Sequence, residues 1–191
     1  MPFQLLSKSL IWLSAAILIL TLGGCETVQN LFKQGGYTVK RVSDGDTITV
    51  TDTSGKDFTV RFACVDAPEV PHTTKERKSR KLVDKIQFKW GEQAHQRLRQ
   101  LVEQGGDRVK LTITDTDQYG RRVSEVRLSN GTFIQQVLTQ EGLVQVYKPY
   151  LKNCPSASIL QQAEADAKQR RKGVWGDPKY VSAWDWRRNN K

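Results

Sequence analysis

The stretch "TVRFACVDAPEV", Thr59 to Val70, alternates like a half-buried strand and then breaks. Read by parity, Phe58, Val60, Phe62 and Cys64 share one face, and Thr59, Arg61, Ala63 and Val65 share the other. Arg61 therefore looks away from the more apolar row. Pro68 has no N–H for the ladder and ends the strand, so Asp66 and Glu69 fall in a turn at its mouth with their carboxylates free to point at something. Upstream, "YTVKRV" (Tyr37 to Val42) and "TITVT" (Thr47 to Thr51) alternate in the same way, and "TSGK" turns the chain back into the Thr59 strand. Three strands at hairpin distances predict an antiparallel meander.

Downstream, Thr73 and Glu76 have the spacing of a capping box, and a polar helical pattern runs from there to Gln104, where two glycines stop it. Gly91 is expected to divide this helix. Its second half sets Ala94, Leu98, Leu101 and Val102 at core spacing, whereas "KERKSRK", Lys75 to Lys81, reads as a solvated arm or a phosphate-facing surface. Val109, Leu111 and Ile113 alternate as a fourth strand, and Val126 with Leu128 as a fifth that "SNG" turns. Phe133 pairs with Val137 and Ile134 with Leu138 on a helix that closes at Gly142. A last helix starts near Pro155 with Ile159, Leu160, Ala163 and Ala167 inward. Arg170, Arg171 and Lys172 in its final turn suit the negative end of the helix dipole and need no functional explanation. The fold class expected is α+β, mainly β: a five-stranded closed barrel packed by about three helices.

The 191 residues suffice for one domain with a real core. Lys and Arg outnumber Asp and Glu by 30 to 20, which points to an anionic partner (nucleic acid, an anionic membrane surface or an acidic polymer), a basic solvated surface with no specific partner being the other reading. Lys8 precedes an uncharged apolar run, Leu10 to Leu22, with the length of a signal h-region. It closes on "LGGC", Leu22 to Cys25, which resembles the bacterial lipobox. An ordinary signal peptide with a chance cysteine, or an uncleaved anchor, is the rival reading. The expected organisation is therefore a signal peptide over 1–24, a lipidated Cys25, a tether over 25–36, a working domain over 37–185 and a tail over 186–191. The protein is expected to be exported and anchored in a membrane as a monomer. Residues 1–24 carry one charge, Lys8, so the basic character belongs to the working domain. Export permits a disulfide between Cys64 and Cys154, but Cys64 on an apolar strand face favours an unpaired core cysteine. With no CxxC and two histidines, His72 and His95, no zinc site is expected.

Acidic residues gather at strand ends: "DGD", Asp44 to Asp46, leads one strand, and Asp66 with Glu69 trails another. Antiparallel neighbours bring such ends together. Pooled carboxylates call for a positive charge among them, and hard oxygens suit calcium or magnesium. An EF-hand counted from Asp44 fails, since the required glycine is Thr49 and the required glutamate is Gly55.

Taken in order, "VSDGDTITV", "VRFACVDAPE", "DQYGR" (Asp117 to Arg121), "VYKP" (Val146 to Pro149) and "GVWG" resemble the staphylococcal-nuclease (thermonuclease) family across roughly Tyr37 to Trp175. The resemblance implies an OB-fold barrel and a calcium-dependent phosphodiesterase acting on DNA and RNA. By position, Asp46 and Asp66 match the family's calcium carboxylates, and Ala67 stands where a backbone carbonyl, often from threonine, serves the metal. Glu69 matches the general base, and Arg61 and Arg121 match the two arginines that grip the scissile phosphate. Tyr119 and Tyr147 match nucleotide-contacting positions, with Lys148 beside them; barrel-edge packing and surface charge is the other reading of these three. Gln145 stands where well-known members carry a tyrosine, and the stretch from Val70 to Trp90 is longer and more basic than theirs.

The chemistry agrees with those roles. Attack on a phosphodiester builds negative charge on the phosphoryl oxygens, which a fixed guanidinium fork stabilises. A metal polarises the phosphate while a nearby carboxylate accepts the proton. The alternatives are a non-catalytic nucleic-acid-binding barrel at the cell envelope and an envelope protein with its basic face on anionic lipid. Calcium-dependent cutting would set the nuclease apart from both.

Overall fold

The computed structural model describes residues 36–190. The expected signal peptide, Cys25 and the tether up to residue 35 lie outside them. β1 (Tyr37–Val42), β2 (Thr47–Thr51) and β3 (Asp57–Phe62) form the antiparallel meander that their alternation predicts. Ile48, Val50, Val60 and Phe62 are buried, because β-branched and aromatic side chains fill the inner face of a pleated sheet. Asp52 fixes the β2–β3 turn by accepting the backbone N–H groups of Ser54 and Lys56, each at 2.9 Å. At Ala63 and Cys64 the chain turns, and β4 (Val65–Asp66) leaves the barrel.

That turn corrects the parity reading, which carried the strand through Val65. Cys64 takes a φ of 71° and forms a disulfide with Cys154, their Cα atoms 6.0 Å apart. The expectation of an unpaired core cysteine fails because a turn, not a strand pleat, sets the direction of its side chain.

The capping box is present at α1 (Thr74–Arg77): Glu76 N–H donates to Thr73 Oγ1 at 3.1 Å, and Thr73 N–H to Glu76 Oε2 at 2.8 Å. The helix then breaks at Lys78 to Lys81, and α2 (Leu82–Gln104) runs on through Gly91 without division. A Cβ at Gly91 would collide with the carbonyl oxygen of Glu69 and lie 2.9 Å from that of Pro68. Glycine is there so that the helix can press on the loop after β4. Ala94, Leu98, Leu101 and Val102 are buried as expected, and Lys75, Arg77, Lys78, Arg80 and Lys81 are exposed.

β5 (Arg108–Thr116) and β6 (Arg122–Leu128) pair antiparallel, β5 joins β1, and β6 lies parallel to β3, giving a closed barrel ordered β1-β2-β3-β6-β5. Val109, Val126 and Leu128 point inward, while a bulge between Ile113 and Asp115 leaves Ile113 exposed. α3 (Ile134–Gln140) buries Ile134 and Leu138. Its Gln135, wholly buried, accepts Val126 N–H at 3.0 Å and donates to Ser124 O at 2.9 Å, so a side chain completes the ladder of β6. β7 (Gln145–Val146) pairs with β4. α4 (Ala157–Gln169) buries Leu160, Ala163 and Ala167, whereas Ile159, expected inward, is exposed. Buried Glu125 serves the start of α4 by accepting Ser156 N–H at 2.7 Å. α5 (Ala183–Asn189) continues through residue 186, where the tail is expected to begin. The result is the α+β architecture with a closed five-stranded barrel that the OB-fold expectation describes. Among the described residues, no helix is long and apolar enough to cross a membrane.

Candidate active site

Two acidic segments meet under α2. Gly45, in the turn before β2, lies so close to Ala94 of α2 and Ala67 that an added Cβ would come within 2.6 Å and 2.8 Å of their Cβ atoms. Gly91 receives the carbonyls of Pro68 and Glu69 one turn earlier on the same helix. Small residues at Gly45, Ala67, Gly91 and Ala94 thus let one helix hold the DGD turn and the DAPE loop together.

Asp46 and Asp66 are each 1% exposed in the pit so formed. Arg61, near the end of β3, places one Nη on Asp46 Oδ1 and the other on Asp66 Oδ1. Asp46 Oδ2 accepts Ala67 N–H at 2.5 Å, and Thr47 Oγ1 donates to Asp46 Oδ1 at 3.2 Å. Neighbouring Asp44 accepts the N–H of Asp46 at 2.9 Å; burial pushes its own pKa up, opposed in part by the charge of Arg61. Glu69, half-buried, stands on the loop beyond Pro68. Buried Gln87 on α2, with its amide turned so that both ends find partners, accepts Glu69 N–H and donates to Val181 O, each at 3.1 Å.

Arg187 enters from α5. Its Nη2 donates to Asp66 Oδ2 at 2.6 Å, and its Nη1 meets Glu69 Oε1. Burial lowers the proton affinity of this guanidinium, but Asp66 and Glu69 outweigh burial and leave its pKa above the ordinary arginine value. Nearby Tyr180 is pushed up by burial first and by the negative charge of Asp66 second.

Arg121 is placed differently. It stands one residue before β6, whose Val123 is the register partner of Arg61, so it shares that rim of the barrel. Its Nε donates to Asp117 Oδ2 at 2.7 Å within its own turn. Burial works to raise the pKa of Asp117, but hydrogen bonds from Arg121 hold it below the ordinary value. Tyr119, 75% exposed, presents its ring to the Arg121 guanidinium at 5.5 Å. Tyr147 and Lys148 line a groove of about 830 Å³ with Trp175, Tyr180 and Trp184. Tyr147 stacks on Tyr150 with ring centroids 5.6 Å apart. Gln145 is the β-partner of Asp66, and its buried Oε1 has no hydrogen-bond partner among the described residues.

The structure therefore gathers Asp46, Arg61, Asp66, Ala67 and Glu69, sets Arg121 on the adjoining rim with Tyr119 against it, and places Tyr147 and Lys148 in the lining of a groove. Among the described residues, no three His, Cys, Asp or Glu side chains converge as a ready metal cluster, since the pit holds two carboxylates with guanidinium groups between and beside them. Sequence reasoning missed Arg187 and Gln87. Arg187 follows the last motif in a run of ordinary polarity, and its partners are 118 and 121 residues away, so no local signal marked it.

Comparison with known proteins agrees with this geometry. The model of the family "Staphylococcal nuclease homologue" matches residues 59–177. The chain is 31% identical over 161 residues to "Micrococcal nuclease" of Shigella flexneri, covering 80% of each protein. It is 32% identical over 149 residues to an "Uncharacterized endonuclease" of Escherichia coli O157:H7, covering 78% of this chain and 82% of the relative. "Staphylococcal-like nuclease CAN1" of Arabidopsis thaliana is 29% identical over 136 residues, and there the match spans 35% of the longer plant protein. The chain belongs to the staphylococcal nuclease family.

Proposed function

We propose that the protein is a calcium-dependent nuclease that hydrolyses phosphodiester bonds of DNA and RNA. Its class, a nuclease acting on nucleic acid, follows from the family. The observation that carries the mechanism is the convergence of Arg61, Asp46, Asp66 and Glu69 at one end of β3, with Arg121 on the same rim.

The two buried carboxylates already bracket a cationic guanidinium, and their hard oxygens suit a hard divalent ion, so this donor set fits calcium. Asp46, Asp66 and the carbonyl of Ala67 would hold it, and when bound it supplies polarisation of the phosphate and orientation of the attacking water. Arg61 then turns its fork from the carboxylates to the non-bridging phosphate oxygens. Arg121 takes the other side of the phosphate from its Asp117 mooring. As the water oxygen bonds to phosphorus, Glu69 accepts the water proton through Oε2, the oxygen that Arg187 leaves open. The P–O bond to the leaving oxygen breaks, and that oxygen takes up a proton from solvent water. Both arginines stabilise the charge that develops on phosphorus-bound oxygens. Tyr119 beside Arg121, and the groove at Tyr147 and Lys148, are the surfaces for flanking nucleotides.

The deciding experiment is digestion of single-stranded DNA, duplex DNA and RNA with calcium, with magnesium and with chelator, beside Glu69→Gln and Arg61→Ala. Calcium-dependent cutting that collapses in both variants is expected. Tight binding without cutting under any metal would instead make this a binding barrel.

The same reading includes export and anchoring through Cys25. The disulfide supports it, since such bonds persist in oxidising compartments. Mass spectrometry of the membrane fraction should find acyl chains on Cys25, and Cys25→Ser should release the protein from that fraction.

A further inference from the structure

Arg187 lies outside residues 59–177, the part the family model matches, yet it touches two of the acidic groups of the pit. Its approach is built rather than incidental. α5 is held on α2 by Trp186, whose indole N–H donates to Asp84 Oδ1 at 2.9 Å and whose ring meets Phe88 edge-on with centroids 5.7 Å apart. Ser182 caps the helix, Ala183 is wholly buried, and Gln87 ties Val181 O to the N–H of Glu69. The segment that carries Arg187 and the loop that carries Glu69 are thus bound to the same stretch of α2.

The division of oxygens is specific. The guanidinium of Arg61 takes the Oδ1 atoms of both aspartates, which face each other across the pit. The guanidinium of Arg187 takes Oδ2 of Asp66 and Oε1 of Glu69 from outside, one nitrogen for each. Glu69 thereby keeps Oε2 open, and the second oxygen of Asp66, Oδ1, is the one that Arg61 holds. A planar fork with fixed spacing between its nitrogens can set the separation of two carboxylates in a way that a flexible point charge cannot.

Resting on the nuclease reading of the site, we infer that Arg187 is a positioning residue: it clamps the metal-side carboxylate Asp66 to the base Glu69, so that the oxygen meant for the metal, Asp66 Oδ1, and the oxygen meant for the water, Glu69 Oε2, keep a fixed spacing. Asp66 in the pit and Glu69 at its edge repel one another, and Arg187 offsets that repulsion without occupying the place between the two aspartates. α5 is then part of the active site. The rival idea, that Arg187 is a counter-ion that a metal must expel, predicts the opposite change in metal binding when it is removed.

The test compares the purified full chain with Arg187→Ala and Arg187→Lys. Three readouts are taken: cleavage kinetics split into kcat and KM, calcium binding without nucleic acid by calorimetry, and tryptophan fluorescence with thermal melting to report whether α5 stays docked. Removal of such an outer partner of metal ligands costs on the order of 10- to 100-fold. For Arg187→Ala we expect kcat to fall by about tenfold or more with KM nearly constant, and calcium binding to weaken severalfold. Arg187→Lys should keep α5 docked and still lose most of the rate, because one ammonium cannot hold both oxygens. Full activity in the lysine variant, or tighter calcium binding in the alanine variant, would overturn the inference. If the wild type cuts and binds calcium while the variants match it, only the clamp fails; if the wild type does neither, the nuclease reading fails and takes the clamp with it.

Discussion

The acidic pit and the Arg121 turn stand on the same rim of the barrel and are built by opposite means. In the pit, Arg61 meets Asp46 over 15 residues, and Arg187 meets Glu69 and Asp66 over 118 and 121. Apart from that of Arg61 with Asp66, five residues on, these contacts are long-range, the two aspartates are buried, and α2 presses the pieces together. In the Arg121 turn, the guanidinium and its acceptor are four residues apart, and Asp117 also accepts the N–H groups of Tyr119 and Arg121, at 2.9 and 3.0 Å. A local turn can hold an arginine ready and release it cheaply. A buried pit must be right in several places at once, because an unpaired charge there has no water to turn to. The two regions should therefore respond very differently to substitution.

The largest effect is expected where the pit meets the reaction. Arg61→Ala should lower kcat/KM by at least ~100-fold, since one fixed electrostatic donor contributes about 3 kcal/mol to such a transition state. Loss of only a few-fold under saturating calcium would mean that Arg61 serves the fold and not the phosphate. Next comes the disulfide, which fastens the turn before Asp66 to Cys154 across a separation of 90 residues. Cys154→Ser, or reduction, should cost about 2 to 4 kcal/mol in denaturant unfolding, with activity of the folded fraction retained. Gly91→Ala should destabilise by about 1 to 3 kcal/mol through overpacking and lower activity as well, because the methyl displaces the loop that carries Glu69. An unchanged rate in folded Gly91→Ala would show that the loop tolerates movement.

On the other side of the comparison, Asp117→Asn should cost under about 1 kcal/mol of stability, the range for partly exposed ion pairs, and change the rate by a few-fold at most. A collapse of activity like that of Arg61→Ala would erase the distinction between the two regions.

The smallest effect is a pH dependence. Trp90 Nε1 donates to Asp177 Oδ2 at 3.0 Å, and this hydrogen bond, ahead of that from Lys179 N–H, holds Asp177 below its ordinary pKa of 3.8. A depressed carboxylate stabilises the fold above its unfolded pKa and loses that contribution as pH falls through the folded value. Melts of wild type and Trp90→Phe should therefore converge slightly as the pH falls below the ordinary carboxylate range, with the wild type higher at neutral pH. Parallel curves would mean that the Trp90 contact carries no charge dependence.

What could be read in the chain followed from how local each feature is. β1, β2 and β3, the capping box at Thr73 and Glu76, and the inward face of α2 were legible because period and spacing are local properties. The acidic segments and Arg61 were legible because strand mouths and motif order marked them. The errors fell where backbone or packing overrides the pattern. Cys64 follows a run of perfect alternation, but its left-handed φ turns it toward Cys154. Gly91 carries the mark of a helix break and is instead the point where a helix meets a loop.

By itself, the sequence determined the class of fold, the meander, the acidic and basic residues that any phosphodiester chemistry here must use, and the family motifs that order them. Only the tertiary structure decided that β6 closes the barrel beside β3 in parallel, that α2 joins the two acidic segments, and that Arg187 from α5 reaches Asp66 and Glu69. The physical reason is reach. Side-chain periodicity, turn chemistry and capping act over a few residues and leave a trace in the local pattern. A guanidinium that crosses more than a hundred residues to two carboxylates is placed by the packing of everything between them, and no neighbouring residue in the chain records where it will arrive.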